Sequence, residues 1–287
     1  MKVKPILPFG YCKGVQQAIL LAKRAKEENP DRACYLLGML VHNEETIADL
    51  EGHGLIVLDD SEDSLESLLL TIPDGQVVIF SAHGHDKKLD EIAKNKNLTV
   101  YDSTCSFVSD NLKEAFEASK RGSVIYIGAK GHLEAESFLA NFKEAVFYDV
   151  KSDLWNPSLI KGGSPTVISQ TTLSYLELEK AHKVILSAFP DAKIGPERCL
   201  ATTLRQEAIA NIPETIHTVI VLGSARSNNS KKLYEIAKEH GKEAYLCLGL
   251  DDVKKLSLKA NEEIALATGA STSPKTYHDV LEYLESL

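Results

Sequence analysis

The sequence predicts an α/β protein of three pseudo-threefold-related domains, each with its own parallel sheet. Three observations lead there. Cys12, Cys105 and Cys199 stand 93 and 94 residues apart, and each ends an apolar or loop run that leads into a helical pattern. After each cysteine, an apolar run ending in glycine is followed four positions later by a polar residue: Leu36-Leu37-Gly38 by His42, Tyr126-Ile127-Gly128 by His132, Val221-Leu222-Gly223 by Ser227. Further on, a second apolar run leads into a loop carrying His83, Thr171 or Ser271. These features recur in one order three times and mark a repeat, although the copies share little literal sequence. The domains are expected at 1–100, 101–194 and 195–287, with no proline-rich or low-complexity linker between them.

The elements follow from local pattern. After Cys12, the residues Val15, Ala18, Ile19, Ala22 and Ala25 form a helical stripe. After Cys105 the stripe is Val108, Leu112, Ala115 and Phe116, with Gly122 as the expected C-cap. Thr203 and Gln206, like Ser174 and Glu177, have capping-box spacing. Ser273-Pro274 reads as an N-cap followed by an N1 proline. Strands alternating with helices imply βαβ units. In such sheets the functional loops gather at the carboxyl ends of the strands. Three loops per domain are therefore expected to face a common centre.

Composition removes several function classes. A net charge of −9 argues against a general nucleic-acid binder, which needs clustered Lys and Arg. No apolar run approaches the length of a membrane span, and the N-terminus shows no signal peptide, so a cytoplasmic protein is expected. Five cysteines, an odd number, with no Cys-x-x-Cys, argue against a disulfide framework and a ribbon-type zinc site. Cys34 and Cys247 lie inside apolar runs and read as buried strand residues.

The other three cysteines pose a metal-cluster problem. Three thiolates can hold a cuboidal iron–sulfur cluster with one iron left without a protein ligand, able to act as a Lewis acid and to deliver electrons. His42, His83 and His132 occupy strand-to-helix loops, where backbone N–H groups and helix dipoles favour anions. Ser227, Asn229 and Ser271 supply hydroxyl and amide donors in the corresponding loops of the third repeat. Together these residues suit a phosphate or diphosphate, and zinc ligation by Cys and His is the competing reading. Glu134, two residues beyond His132, is expected to have a raised pKa and to deliver a proton, with Thr171 as a hydroxyl relay. His53, His182, His217, His240 and His278 read as ordinary core or surface residues, whereas His85 shares the loop of His83.

The same residues resemble the 4-hydroxy-3-methylbut-2-enyl diphosphate reductase (LytB/IspH) family. The matching segments include Gly10-Tyr11-Cys12-Lys13-Gly14-Val15, Ser81-Ala82-His83-Gly84, Asp102-Ser103-Thr104-Cys105, Gly131-His132-Leu133-Glu134, Gln170-Thr171-Thr172 and Gly269-Ala270-Ser271. They stand in family order over almost the whole chain. The resemblance implies a trefoil of α/β domains around a central 4Fe–4S cluster held by Cys12, Cys105 and Cys199. It places a diphosphate on His42, His83, His132, Ser227, Asn229 and Ser271, and makes Glu134 the proton source with Thr171 in its network. The implied reaction is reductive removal of an allylic hydroxyl, giving isopentenyl and dimethylallyl diphosphate in the methylerythritol phosphate route to isoprenoids. Electrons would come from a ferredoxin or flavodoxin. Asn228 stands in the diphosphate-binding run where the family usually has serine, and Leu204 where it has asparagine. A divergent paralogue using another substrate, or a quinolinate-synthase-like condensation and dehydration, are alternative readings.

Overall fold

Uninterrupted apolar runs become the inner strands of three parallel sheets. The computed structural model describes residues 1–195, 199–259 and 262–287. Strand β1 (Lys2–Pro5) and helix α1 (Lys13–Glu28) precede β2 (Cys34–Leu37), α2 (Glu44–Gly52), β3 (Leu55–Leu58), α3 (Leu65–Thr71), β4 (Val77–Phe80), α4 (Lys88–Asn95) and β5 (Thr99–Asp102). The middle third holds α5 (Ser106–Ser119), β6 (Val124–Gly128), α6 (Leu133–Asn141), β7 (Val146–Asp149), β8 (Thr166–Ser169), α7 (Tyr175–Ala188) and β9 (Lys193–Ile194). The last third holds α8 (Leu200–Ala210), β10 (Thr218–Leu222), α9 (Asn228–Glu239), β11 (Glu243–Cys247), α10 (Leu250–Val253), β12 (Glu263–Thr268) and α11 (Pro274–Ser286). No described helix is long and apolar enough to cross a membrane.

The sheets run β3-β2-β4-β5, β7-β6-β8-β9 and β11-β10-β12-β1, parallel throughout. These are one order used three times. In each, β4, β6 or β10 is buried along its full length, as expected when helices cover both faces. The fourth strand is always followed by one of the three cysteines. For the first cysteine that strand is β1, which sits beside β12 with Lys2 opposite Glu263, not beside β4. The interval 1–100 therefore contains a strand that belongs to the sheet of the last third. Sequence proximity hid this, because β1 and β12 lie at opposite ends of the chain.

Strand order also locates the functional loops. In each sheet the connection reverses direction between the second and third strands of that order. The loops after β2 and β4, β6 and β8, and β10 and β12 thus flank a topological switch point, where open α/β sheets bind ligands. These are the loops of His42, His83, His132, Thr171, Ser227 and Ser271.

The described chain divides into two compact units. One comprises Met1–Leu20, Val41–Gly54 and Leu200–Leu287, and the other Leu21–Leu40 and Leu55–Cys199. In the first, Ile6, Val219, Val221, Leu233 and Ile236 form one core cluster, and Ile220, Leu222, Leu266, Tyr277 and Val280 another on the opposite sheet face. In the second, Leu69, Val78, Phe80 and Leu89 pack on the β3-β2-β4-β5 sheet. There Ile125, Ile127, Tyr148 and Ile185 cover one face of the other sheet, and Tyr126, Phe138 and Phe142 cover its second face. Cys34 and Cys247 are buried in β2 and β11.

Two expected helix signals shift. Helix α8 begins at Leu200, so Thr203 lies within its first turn and is no N-cap. Helix α5 is capped at Lys120, and Gly122 follows two residues later with its N–H on the Ala118 carbonyl. The capping box of Ser174 and Glu177, and the Ser273 N-cap with Pro274 after it, form as expected.

Candidate active site

In the first unit, backbone and side-chain bonds gather the loops of Cys12, His42, Asn229 and Ser271. The Cys12 N–H donates to the Ala270 carbonyl at 2.9 Å. Before it, the Gly10 N–H donates to Thr268 Oγ1 at 2.8 Å, and Arg205 donates to the Gly10 carbonyl at 2.7 Å. The Cys12 sulfur in turn accepts the Val15 N–H at 3.4 Å, at the start of α1. Asn229 Oδ1 accepts the Ala270 N–H at 2.8 Å, and the Ser271 hydroxyl donates to the His42 carbonyl at 3.3 Å. Close approach makes this possible: a Cβ on Gly269 would lie 2.1 Å from Ser230 Oγ and 3.2 Å from its Cβ, so a larger residue there would have to displace the Ser230 side chain.

Donor capacity is left over in this cluster. Asn229 is buried, and its Nδ2 has no partner among the described residues. Ser227 caps α9 by accepting the Ser230 N–H, which leaves its own O–H proton to give. Asn228 is the first residue of that helix and is half-buried. Asn43, beside His42, is fully buried and caps α2 through Oδ1, while its Nδ2 is likewise unpartnered. The sequence gives Asn43 no assigned role, although it stands directly after His42 in a segment that matches the family. Leu204 points outward from α8 and is 51% exposed.

In the second unit, Cys105, His83, His132, Glu134 and Thr171 converge. The Cys105 N–H donates to the Ala82 carbonyl at 3.0 Å, which ties the start of α5 to the His83 loop. The rings of His83 and His132 meet edge to face, with centroids 6.0 Å apart. Gly131, with φ +79°, makes the turn that presents His132 as the N-cap of α6. His132 Nδ1 accepts the Glu134 N–H at 3.2 Å, so the neutral ring carries its proton on Nε2. Gln170, absent from the sequence-based set, fixes the neighbouring loops: its Oε1 accepts the Ala129 N–H at 2.9 Å and its Nε2 donates to Thr172 Oγ1 at 2.8 Å.

Glu134 is 2% exposed, and both of its oxygens are held by one residue. The Thr171 N–H donates to Oε1 at 2.8 Å and the Thr171 hydroxyl to Oε2 at 2.7 Å. Burial pushes the carboxyl up to about 7, while the two Thr171 bonds pull in the opposite direction. A carboxyl poised near neutrality can hold a proton and release it.

Cys199 ends the second unit, half-buried directly before α8. All five cysteines are outside disulfides. Cys12, Cys105 and Cys199 each stand at a helix start and are partly accessible, and soft sulfurs of this kind suit iron–sulfur ligation. Among the described residues, no group of three or more His, Cys, Asp or Glu side chains is placed to hold a single metal ion. Cys247 is different in kind, since burial pushes its thiol up to about 11.

Comparison with known proteins identifies the family and the fold. The model of the family described as LytB protein matches residues 3–285. A 4-hydroxy-3-methylbut-2-enyl diphosphate reductase of Symbiobacterium thermophilum is 38% identical, over 99% of this chain and 97% of its own length. The reductase of the same name from Bacillus cytotoxicus is 35% identical over 99% and 90%. Among solved structures, the E-1-hydroxy-2-methyl-but-2-enyl-4-diphosphate reductase of Plasmodium falciparum matches with a TM-score of 0.86 and 29% identity, over 99% of this chain and 87% of that one. A second reductase structure, at 22% identity and a TM-score of 0.70, shares the fold.

Proposed function

The chain belongs to the LytB protein family, and from that premise we propose that it is an iron–sulfur reductase of an allylic diphosphate alcohol. The substrate is 4-hydroxy-3-methylbut-2-enyl diphosphate, and the products are isopentenyl and dimethylallyl diphosphate. The observation that carries this reading is the Glu134–Thr171 pair: a buried carboxyl poised near pH 7 in a chain that matches the family from end to end.

Cys12, Cys105 and Cys199 would hold a 4Fe–4S cluster. When bound, that cluster supplies electrons and a Lewis-acidic iron. A ferredoxin or flavodoxin delivers the two electrons singly. The reaction breaks the allylic C–O bond, adds a proton to carbon and releases the hydroxyl with a second proton as water. Glu134 provides the proton for the departing oxygen, with the Thr171 hydroxyl holding it in line.

The substrate takes His42, His83, His132, Ser227, Asn228, Asn229 and Ser271 for its diphosphate, with Thr171 beside it on Glu134. The leftover Asn229 amide donor, the Ser227 hydroxyl at the start of α9 and the Nε2–H of His132 support that assignment.

Anaerobic incubation of the iron- and sulfide-reconstituted protein with the alcohol and a one-electron reductant tests the reading. Reductant-dependent appearance of both isomeric products is expected. Turnover that continues without reductant, or no turnover of this substrate at all, overturns it.

A further inference from the structure

Three loops of the first unit meet at one hydroxyl, that of Thr46 in the first turn of α2. The N-cap of that helix, Asn43, is fully buried and accepts the Thr46 N–H with Oδ1 at 2.9 Å. The Asn43 N–H reaches back to the Val41 carbonyl at 2.8 Å, which makes a three-residue turn with His42 at its centre. Thr46 is also buried, and its hydroxyl oxygen has three polar neighbours. Asn43 Oδ1 lies at 3.1 Å, the Ser271 carbonyl at 3.2 Å and the Tyr11 hydroxyl at 3.2 Å. These neighbours come from the loops of His42, Ser271 and Cys12.

Two of the three neighbours only accept, and Thr46 has a single hydroxyl proton. Asn43 Oδ1 already holds the Thr46 N–H, so the proton goes to the Ser271 carbonyl. The Thr46 oxygen then takes the Tyr11 O–H. A chain from Tyr11 through Thr46 to Ser271 thus links the residue before Cys12 to the residue after Ala270. A backbone bond runs beside it, from the Cys12 N–H to the Ala270 carbonyl at 2.9 Å. The Ser271 side chain is held less firmly than its backbone. Its hydroxyl spans 3.3 Å to the His42 carbonyl, long for an O–H donor, whose usual range is about 2.5–3.0 Å. An incoming anion can take that proton while the Ser271 carbonyl stays on Thr46.

We propose that Thr46 is a positioning residue for the diphosphate site. Its hydroxyl pins the Ser271 backbone to α2 and to the Tyr11–Cys12 loop, so the Ser271 hydroxyl turns from the His42 carbonyl to a phosphate oxygen without movement of the loop. The inference rests on Ser271 binding the diphosphate, as assigned above. Thr46 acts through Ser271 and transfers no proton to the substrate. A loop ordered before binding spares the entropy of ordering it during binding. The effect therefore belongs to affinity and leaves the chemical step, at Glu134, alone.

Thr46→Val keeps the side-chain shape and removes the hydroxyl, and Thr46→Ser restores it. Hydrogen–deuterium exchange of the reconstituted protein, resolved by mass spectrometry, reads the loops directly. Segments 10–12 and 269–272 should exchange about threefold to tenfold faster in Thr46→Val, the range for one hydrogen bond, and return to the parent rate in Thr46→Ser. Strand 218–222 of the same unit should not change. The Kd of inorganic pyrophosphate and the KM of the diphosphate alcohol should rise by a similar factor, with kcat held within about twofold. Tyr11→Phe should act in the same direction, and adding it to Thr46→Val should bring little more, because both work through one chain. It also stands in if Thr46→Val does not fold. Parent-like exchange in the folded Val variant overturns the pin. Faster exchange with unchanged pyrophosphate affinity overturns the positioning role. Faster exchange in a variant whose parent neither binds pyrophosphate nor reduces the alcohol keeps the pin and removes the diphosphate reading.

Discussion

Thr171 closes on Glu134 with two donors, its N–H on one carboxylate oxygen and its hydroxyl on the other, at 2.8 and 2.7 Å. The contact joins the loops after β8 and β6, the two that flank the switch point of their sheet. Both donors favour the ionised carboxyl, and burial favours the neutral one. Burial wins, but by little enough that the proton remains exchangeable near neutral pH.

Thr171→Val should therefore move that balance further toward the neutral form. It deletes the hydroxyl donor and keeps the N–H, so the Glu134 carboxyl rises above about 7. The alkaline limb of the kcat–pH profile should shift to higher pH, and the maximal rate should drop because the acid is weaker. A limb that stays in place would show that another group controls the profile.

The same carboxyl makes folding pH-dependent with a defined sign. Its folded value, about 7, lies above the ordinary 4.5. Between these values the unfolded chain has lost the proton and the native chain retains it. Stability thus falls as pH rises through that window, by up to about 1.4 kcal/mol per unit, and levels off above it. In Glu134→Gln the slope should flatten while the cluster is kept and turnover is lost. Urea unfolding at several pH values between 5 and 7 measures this; equal slopes in the two proteins would contradict the assignment.

Cysteine roles separate by position. Cys105→Ser should lower iron and acid-labile sulfide after anaerobic reconstitution, because a ligand at the head of α5 is gone. Cys247→Ala should leave both contents unchanged, since that thiol is sealed within β11 and held protonated by burial. Its effect should be confined to stability, a loss of about 1 kcal/mol for a small buried side chain. Iron loss in Cys247→Ala, or full iron in Cys105→Ser, would reverse these roles.

Much of this architecture was legible in the sequence because parallel strands buried on both faces leave unbroken apolar runs such as Val77–Phe80 and Val124–Gly128. The loop residues could be placed because each run ends at a fixed interval from them. Strand β1 was not legible, since Lys2-Val3-Lys4-Pro5 alternates weakly and its partner is 261 residues away at Glu263. Pairing across that span depends on tertiary packing, which no local pattern records. The start of α8 was misplaced because Thr203 and Gln206 imitate a capping box inside a helix that already runs from Leu200. Gln170 and Asn43 were given no role of their own for a different reason. Their importance comes from polar atoms buried beside the site, and burial of a single atom is invisible in spacing.

Asn229 offers a way to separate loop support from anion recognition. Its Oδ1 holds the Ala270 N–H, and its Nδ2 is the donor left for a ligand. Asn229→Asp keeps the acceptor, removes the donor and adds negative charge, whereas Asn229→Ala removes both functions. With inorganic pyrophosphate as a competitive probe, the Asp variant should bind about tenfold to a hundredfold more weakly, the range for losing a charge-assisted donor. Its unfolding temperature should stay near that of the parent, because the Ala270 bond survives. The Ala variant should lose affinity and also unfold earlier, as the 269–271 loop is released. Undiminished pyrophosphate binding by a folded Asp variant would mean that the buried amide does not face the anion, and the diphosphate assignment at α9 would have to rest on Ser227 and the helix start alone.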